Sequence, residues 1–145
     1  MSRSAAAVLA ALALASCGRG QWREVDARLQ QASAPARAAG FAPLPGRNNE
    51  FGTFTDSATA RWSLDLVEDR PYYLAAACTE GCRGMDLEIT LLDGGRTLAR
   101  DSGGRTDARL SFVAVRSGAH PVRLRVAGCS EGTCRWAAQL YAGRR

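Results

Sequence analysis

A strict alternation of apolar and polar residues in the second half of the chain constrains the fold more than any other feature. Alternation with a period of two is typical of β-strands that have one buried face and one face in water. Glycine-containing turn sequences such as Asp93-Gly94-Gly95 and Ser117-Gly118 separate the alternating segments. The apolar residues of these five segments are Trp62/Leu64/Leu66, Leu87/Ile89/Leu91, Leu110/Phe112/Ala114, Val122/Leu124/Val126 and Trp136/Ala138/Leu140.

Three further segments, Phe51–Phe54, Tyr72–Cys78 and Thr97–Asp101, raise the expected number of strands to about eight. Many short strands with no helical pattern between them predict an all-β, antiparallel sandwich. We place this domain at residues 50–145, which is close to the roughly 100 residues usual for a β-sandwich.

The amino terminus has the pattern of an export signal. Arg3 precedes an uncharged stretch of 11 residues, Ala5–Ala15, which is too short to cross a bilayer about 30 Å thick. The sequence Leu14-Ala15-Ser16-Cys17 that ends this stretch resembles the lipobox of bacterial lipoproteins. The resemblance implies that residues 1–16 are a signal peptide, cleaved before Cys17, and that the Cys17 thiol is acylated. An ordinary secretory signal with a chance cysteine is the alternative.

Acyl chains on Cys17 make the membrane the first expected partner, because buried CH2 groups supply the affinity. The residues that follow are Gly18 and Arg19 rather than the aspartate that commonly retains lipoproteins at the inner membrane. We therefore expect a lipid-anchored envelope protein at the outer membrane, facing the periplasm or the surface.

Residues 17–49 are predicted to be a tether. Trp22, Val25, Leu29, Ala32 and Ala36 recur at spacings of three and four, which indicates one face of an amphipathic helix. Pro35 should kink or end this helix near residues 33–34, and a linker rich in proline and glycine follows. We expect the tether to space the domain from the membrane. Its helix would pack on the sandwich or lie at the surface, with membrane binding as an alternative.

Four cysteines remain after Cys17, namely Cys78, Cys82, Cys129 and Cys134. Oxidation is the default for an even number of cysteines in an exported chain. Loop geometry favours the local pairs 78–82 and 129–134, although each short loop contributes only about 2 kcal/mol against about 4 kcal/mol for a long one. The other pairings remain open, and a zinc site is disfavoured by the spacing.

The stretch from Trp62 to Tyr141 resembles the bacterial pre-peptidase C-terminal domain family. The features that match, in order, are Trp62-Ser-Leu-Asp-Leu66, Tyr73-Leu-Ala-Ala-Ala-Cys78, Asp86-Leu-Glu-Ile-Thr-Leu-Leu-Asp93, Leu98-Ala-Arg-Asp101, Phe112 and Gly118. The resemblance implies a jelly-roll-like sandwich that acts as a non-catalytic accessory domain. It also implies a calcium site at Asp86, Glu88 and Asp101, although acids on an outward face are most often simply solvated.

Catalysis has little support in the sequence. His120 is the only histidine of the chain, and it stands at the position where the family tends to have a tyrosine. Because it lies between a turn glycine, Gly118, and Pro121, we interpret it as structural. No nucleophile elbow, metalloprotease motif or phosphate-binding loop is present. Calcium apart, no cofactor is expected, and a net charge of +5 without a basic run does not indicate nucleic acid.

The predicted function is that of a binding or structural module for an envelope protein or polysaccharide. The alternative is an accessory domain that assists a secreted peptidase or hydrolase on a separate chain. Arg109, Arg123 and Arg125 are expected to share a wet face that meets anionic glycans or lipid headgroups, with pairing to Asp86 and Glu88 across strands as the alternative. Trp62 and Trp136 are interpreted as core residues, with carbohydrate stacking as the alternative.

Overall fold

The computed structural model of the protein describes residues 20–46, 49–55, 58–79, 82, 88–102 and 106–144. Within these residues nine strands form two antiparallel sheets, which confirms the predicted all-β sandwich with one strand more than expected. The strands are β1 (Ala42–Pro43), β2 (Glu50–Thr55), β3 (Ala58–Leu66), β4 (Pro71–Cys78), β5 (Glu88–Asp93), β6 (Arg96–Ser102), β7 (Asp107–Val113), β8 (Gly118–Val126) and β9 (Thr133–Ala142).

The strands divide unevenly between the sheets. In the sheet we call sheet A, β1 and β2 pair with different parts of β9, and β4 and β7 follow. In sheet B the order is β3-β8-β5-β6. The chain passes from sheet A to sheet B between β7 and β8, so strands that are neighbours in sequence face opposite sides of the molecule.

The alternating apolar residues meet between the sheets and form the main core. Burying one leucine of this kind stabilises the fold by about 1.5–3 kcal/mol. Trp136 lies in the core between Phe54 and Trp62, with ring centroids 5.3 Å and 5.7 Å away. The largest fully buried side chains of this core include Leu64, Tyr72, Leu74, Leu91, Leu124 and Leu140.

A helical segment packs on the outer face of sheet A. Helix α1 covers residues 20–32, and helix α2 (Ala34–Ala38) continues from it after Ser33. The interruption falls just before Pro35, as predicted from the restriction that proline places on its predecessor. The helical stripe is buried against the small side chains of Ala75 and Ala77, which let the helix approach the sheet closely.

The expected packing of the helix on the sandwich is confirmed, whereas the segment expected to be a linker is paired with β9 at residues 42–44. Leu29, Ala32 and Ala36 form a second core with sheet A, and Pro43 in β1 pairs with Tyr141 of β9. The Leu44 amide also donates a 2.8 Å hydrogen bond to a β9 carbonyl. These residues are therefore part of the folded unit. Because sheet A covers Leu29, Ala32 and Ala36, this part of the stripe cannot bind a bilayer.

The structure joins Cys78 to Cys82 and Cys129 to Cys134, with Cα–Cα distances of 6.3 Å and 5.5 Å. Both bonds lie at one end of the sandwich, because Cys78 ends β4 and Cys134 is near the start of antiparallel β9. We call this the disulfide end, and the opposite end the far end. Helix α1 begins at the disulfide end, where Arg135 Nε donates to Gln21 Oε1 at 2.7 Å.

Neither helix in the described ranges is long and apolar enough to cross a membrane. The predicted signal peptide, residues 1–16, and Cys17 lie outside the residues that the structure describes. Cleavage and acylation therefore stay predictions.

Candidate anion-binding surface

The outer face of sheet B carries a row of basic side chains that the strand register brings together. Arg61 of β3 is directly opposite Arg123 of β8, Arg123 is opposite Thr90 of β5, and Thr90 is opposite Arg100 of β6. We call Arg61, Arg123 and Arg100 the arginine row. Opposed residues of antiparallel strands have Cβ atoms only about 4.5–5.5 Å apart.

The Arg61–Arg123 pair is electrostatically unfavourable in the free protein. Like charges directly opposite each other destabilise a sheet, and a guanidinium cannot lose its charge. Within the described part of the chain, neither side chain has a hydrogen-bond or ion-pair partner. An anion between them would relieve this repulsion.

A shallow depression of about 300 Å³ opens beside the pair. Pro121 and Leu92 give it an apolar part, and the Ser63 hydroxyl gives it a hydrogen-bonding group. The complete lining is Arg61, Trp62, Ser63, Leu92, Pro121, Val122 and Arg123. Its volume is at the lower end of the range for small-ligand sites, about 300–1,000 Å³.

One residue of the predicted basic face lies elsewhere. Arg125 is on the same face as Arg123, but Arg109 is on β7, so it points outward from sheet A on the other side of the sandwich. The prediction that Arg109 shares this face is wrong, because the chain changes sheets between β7 and β8. Arg109 Nε instead donates to Asp107 Oδ2 at 2.8 Å.

The proposed calcium ligands are not brought together in the described residues. Asp86 lies outside them, and for Glu88 only the backbone is described, opposite Arg125. Asp101 Oδ2 accepts a 2.8 Å hydrogen bond from the backbone amide of Arg109. No group of three or more acidic, histidine or cysteine side chains suited to a metal is found among the described residues. Calcium binding stays a prediction.

His120 is fully buried on the inner face of β8. Its Nδ1 is 3.0 Å from the carbonyl oxygen of Gly118. Its Nε2 has no hydrogen-bond partner among the described residues and lies 3.8 Å from Asp93 Oδ1, a carboxylate that also pairs with Arg116. A side chain so enclosed does not contact a substrate in this conformation.

The two tryptophans considered for sugar stacking face the core. Trp136 is 6% exposed, and Trp62 is half-buried with its ring stacked on Trp136. The sequence did not reveal the arginine row, because neither Arg61 nor Arg100 was distinguishable from other outward arginines until the strand order was known. The alternation of Arg61 with Trp62 was the only available signal.

The fold and this surface define a class, a small disulfide-bonded antiparallel β-sandwich with a basic outer face on one sheet. No family model matches the chain, and no curated protein does. The family resemblance suggested by the sequence is therefore not established as membership.

Several solved structures share features of the fold. A periplasmic inhibitor of g-type lysozyme from Aeromonas hydrophila is 9% identical, with 66% of this chain and 84% of that chain covered and a TM-score of 0.47. A pre-peptidase C-terminal domain of a Bacillus anthracis collagenase is 12% identical, with 63% and 88% covered and a TM-score of 0.47. A surface-associated copper-binding protein of Methylomicrobium album is 9% identical, with 66% and 94% covered and a TM-score of 0.46. Similarity at this level assigns no ligand to the chain.

Proposed function

We propose that this protein is an exported, non-catalytic lipoprotein, anchored through acylated Cys17 at the outer membrane, whose sandwich binds an anionic polysaccharide of the envelope. The observation that carries the binding function is the Arg61–Arg123 pair, opposed across β3 and β8 with no acidic partner in the described structure.

Export is supported by two independent features. The apolar segment Ala5–Ala15 has the length of a secretory signal, and the two disulfides suit an oxidising compartment outside the cytoplasm. Cys17 follows directly in the lipobox-like sequence. Intact-mass measurement of the protein from membrane fractions tests the anchor, and a mature protein with an unmodified residue 17 would refute it.

The surface has the two kinds of contact that an acidic sugar needs. Arginine binds carboxylate or sulfate groups with two parallel hydrogen bonds, a geometry that the compact ammonium group of lysine cannot reproduce. Pro121 and Leu92 offer an apolar surface to the ring, and Ser63 lies beside them. Because Arg61 and Arg123 lie directly opposite each other across β3 and β8, a chain of acidic sugars can meet both guanidinium groups.

Binding to defined polymers tests this function. The purified mature protein should bind polygalacturonate and dextran sulfate but not neutral dextran, with affinity that falls as salt increases. The variant Arg123→Gln should bind at least about tenfold more weakly, since a charged hydrogen bond is worth about 1.5–3 kcal/mol. Arg109→Gln, on the opposite outer face, is the matched control and should bind normally. Equal losses in both variants would show that only net charge matters and would refute the site.

The accessory function for a separate peptidase or hydrolase rests on the sequence resemblance alone. Affinity purification from solubilised envelope separates it from polysaccharide binding, because a co-purified peptidase whose activity depends on the sandwich would support it.

A further inference from the structure

The position of the helix leaves almost no free chain between the proposed anchor and the folded domain. Helix α1 is present from residue 20, and Gln21 is already hydrogen-bonded to Arg135 of β9. Cys17 is three residues before Gly20, and three residues span at most about 11 Å even when fully extended. If Cys17 is acylated, the disulfide end of the sandwich therefore lies within about that distance of the lipid headgroups.

An exposed aromatic cluster lies at this same position. Phe51 on β2 is 72% exposed, the largest exposure among the large hydrophobic residues described. The Trp22 ring meets it edge-on with centroids 5.6 Å apart, and the Arg135 guanidinium lies 4.8 Å above the Trp22 ring. We call Trp22, Phe51 and Arg135 the aromatic corner.

The aromatic corner is poorly suited to water. An exposed phenylalanine on a strand at the sheet edge favours unwanted association unless it is covered. Tryptophan beside an arginine is typical of the membrane interface, where the ring lies among headgroups and the cation faces their phosphates. Because the connection to Cys17 is so short, the bilayer that holds the acyl chains is the surface close enough to cover the aromatic corner.

We infer that the aromatic corner inserts into the headgroup region of the bilayer that holds the Cys17 acyl chains, so that the sandwich lies against the membrane with its disulfide end down. This inference rests on the proposed acylation of Cys17. It goes beyond the anchor by defining a second membrane contact, made by side chains of the folded domain. The far end, with His120 and Asp93, then points away from the membrane.

Tryptophan quenching by brominated lipids tests the contact. The acylated protein is reconstituted into vesicles of phosphatidylethanolamine and phosphatidylglycerol whose acyl chains carry bromine. Trp22 emission should fall relative to unbrominated vesicles. Trp136, which is in the core, and Trp62, which is half-buried and stacked on Trp136, should not be quenched. Trp22→Phe should therefore abolish the quenching.

Phe51→Ser should reduce the quenching of Trp22 by removing the inserting ring. Val113→Ser is the matched control, because Val113 is 52% exposed but lies at the far end, and it should leave quenching unchanged. Melting temperatures of both variants check that the fold is retained, and if Phe51→Ser does not fold, Phe51→Tyr should keep the quenching.

The two possible failures are distinguishable by intact mass. An acylated protein whose Trp22 is not quenched would overturn the docking inference while the anchor stands. An unmodified Cys17 would overturn the anchor and the docking with it. Equal loss of quenching in Phe51→Ser and Val113→Ser would also overturn the role of the aromatic corner.

Discussion

The Tyr73 hydroxyl on β4 donates a 2.9 Å hydrogen bond to the backbone carbonyl oxygen of Ala32, in the last turn of α1. This bond is buried and joins the helix to sheet A at the point where the helical chain is interrupted before Pro35. Carbonyl groups at a helix end have no partner within the helix, so Tyr73 satisfies one that would otherwise be buried without a hydrogen bond.

Tyr73→Phe should therefore lower the free energy of unfolding by about 1–3 kcal/mol, because it leaves that buried carbonyl unpaired. Urea unfolding of the purified protein measures the effect. Tyr141→Phe is the matched control, since within the described chain the Tyr141 hydroxyl bonds only to the Gln139 side chain, in a partly buried setting, and its loss should cost less. A smaller loss for Tyr73→Phe than for Tyr141→Phe would contradict the proposed role of the bond.

The close approach of helix and sheet predicts a strong dependence on side-chain size. Ala32 is fully buried against sheet A, so Ala32→Leu should destabilise the protein by about 1–3 kcal/mol through overpacking. Ala27→Leu makes the same change at an exposed position of α1 and should be nearly neutral. Thermal unfolding of the two variants gives the comparison, and equal stabilities would mean that the helix does not pack as described.

The two disulfides differ in burial, which predicts the order of their reduction. Cys78 and Cys82 are both almost completely buried, whereas Cys129 is only half-buried. Because a reducing thiolate must reach a sulfur atom, mild dithiothreitol should open the Cys129–Cys134 bond first. Timed alkylation followed by peptide mapping measures the order. Earlier alkylation of Cys78 and Cys82 would disprove the prediction.

Loss of the second disulfide should have a modest thermodynamic effect. The double variant Cys129→Ser/Cys134→Ser should lose about 2 kcal/mol of stability, because the bond closes a short loop and removes little entropy from the unfolded chain. Denaturant unfolding under oxidising conditions measures this loss. A loss of about 4 kcal/mol or more would indicate that the bond also prevents strain or loosening in the folded state.

The arginine row predicts that stability and binding change in opposite directions. Arg61→Glu places an acid directly opposite Arg123, which should stabilise the sheet by about 0.2–1 kcal/mol. The same variant should lose binding to polygalacturonate, because the new carboxylate forms an ion pair with Arg123 and repels the acidic polymer. Melting temperature and binding measured on one sample check both effects. A variant that binds normally would show that Arg61 has no part in the site.

The strands and their buried faces were predictable because they depend on local periodicity. Leu110 and Phe112 alternate with polar residues, and both are buried as that pattern requires. The unbroken apolar run Tyr72–Cys78 also carried information that the prediction did not use. A strand without alternation is typically buried on both faces, and β4 has the core on one side and the helix on the other.

The candidate site was predictable only in part, because it depends on which strands pair. Arg109 and Arg123 both occupy outward positions, and the period of two does not reveal that β7 and β8 belong to different sheets. The opposition of Arg61 and Arg123 is a property of register between strands far apart in sequence. Pro43 escaped prediction for a related reason, since proline is tolerated in a strand only at an edge or a strand start, and the sequence does not mark edges.

The docking of residues 29–44 on sheet A determines where the protein can be cut. A recombinant version starting at residue 50, the domain boundary that the sequence suggests, would lack the helix and β1. Tyr73, Ala75 and Ala77 would then form an uncovered apolar strip along β4, and such a strip on a sheet promotes aggregation. Soluble material for crystallisation or NMR therefore requires the chain from about residue 20 onward.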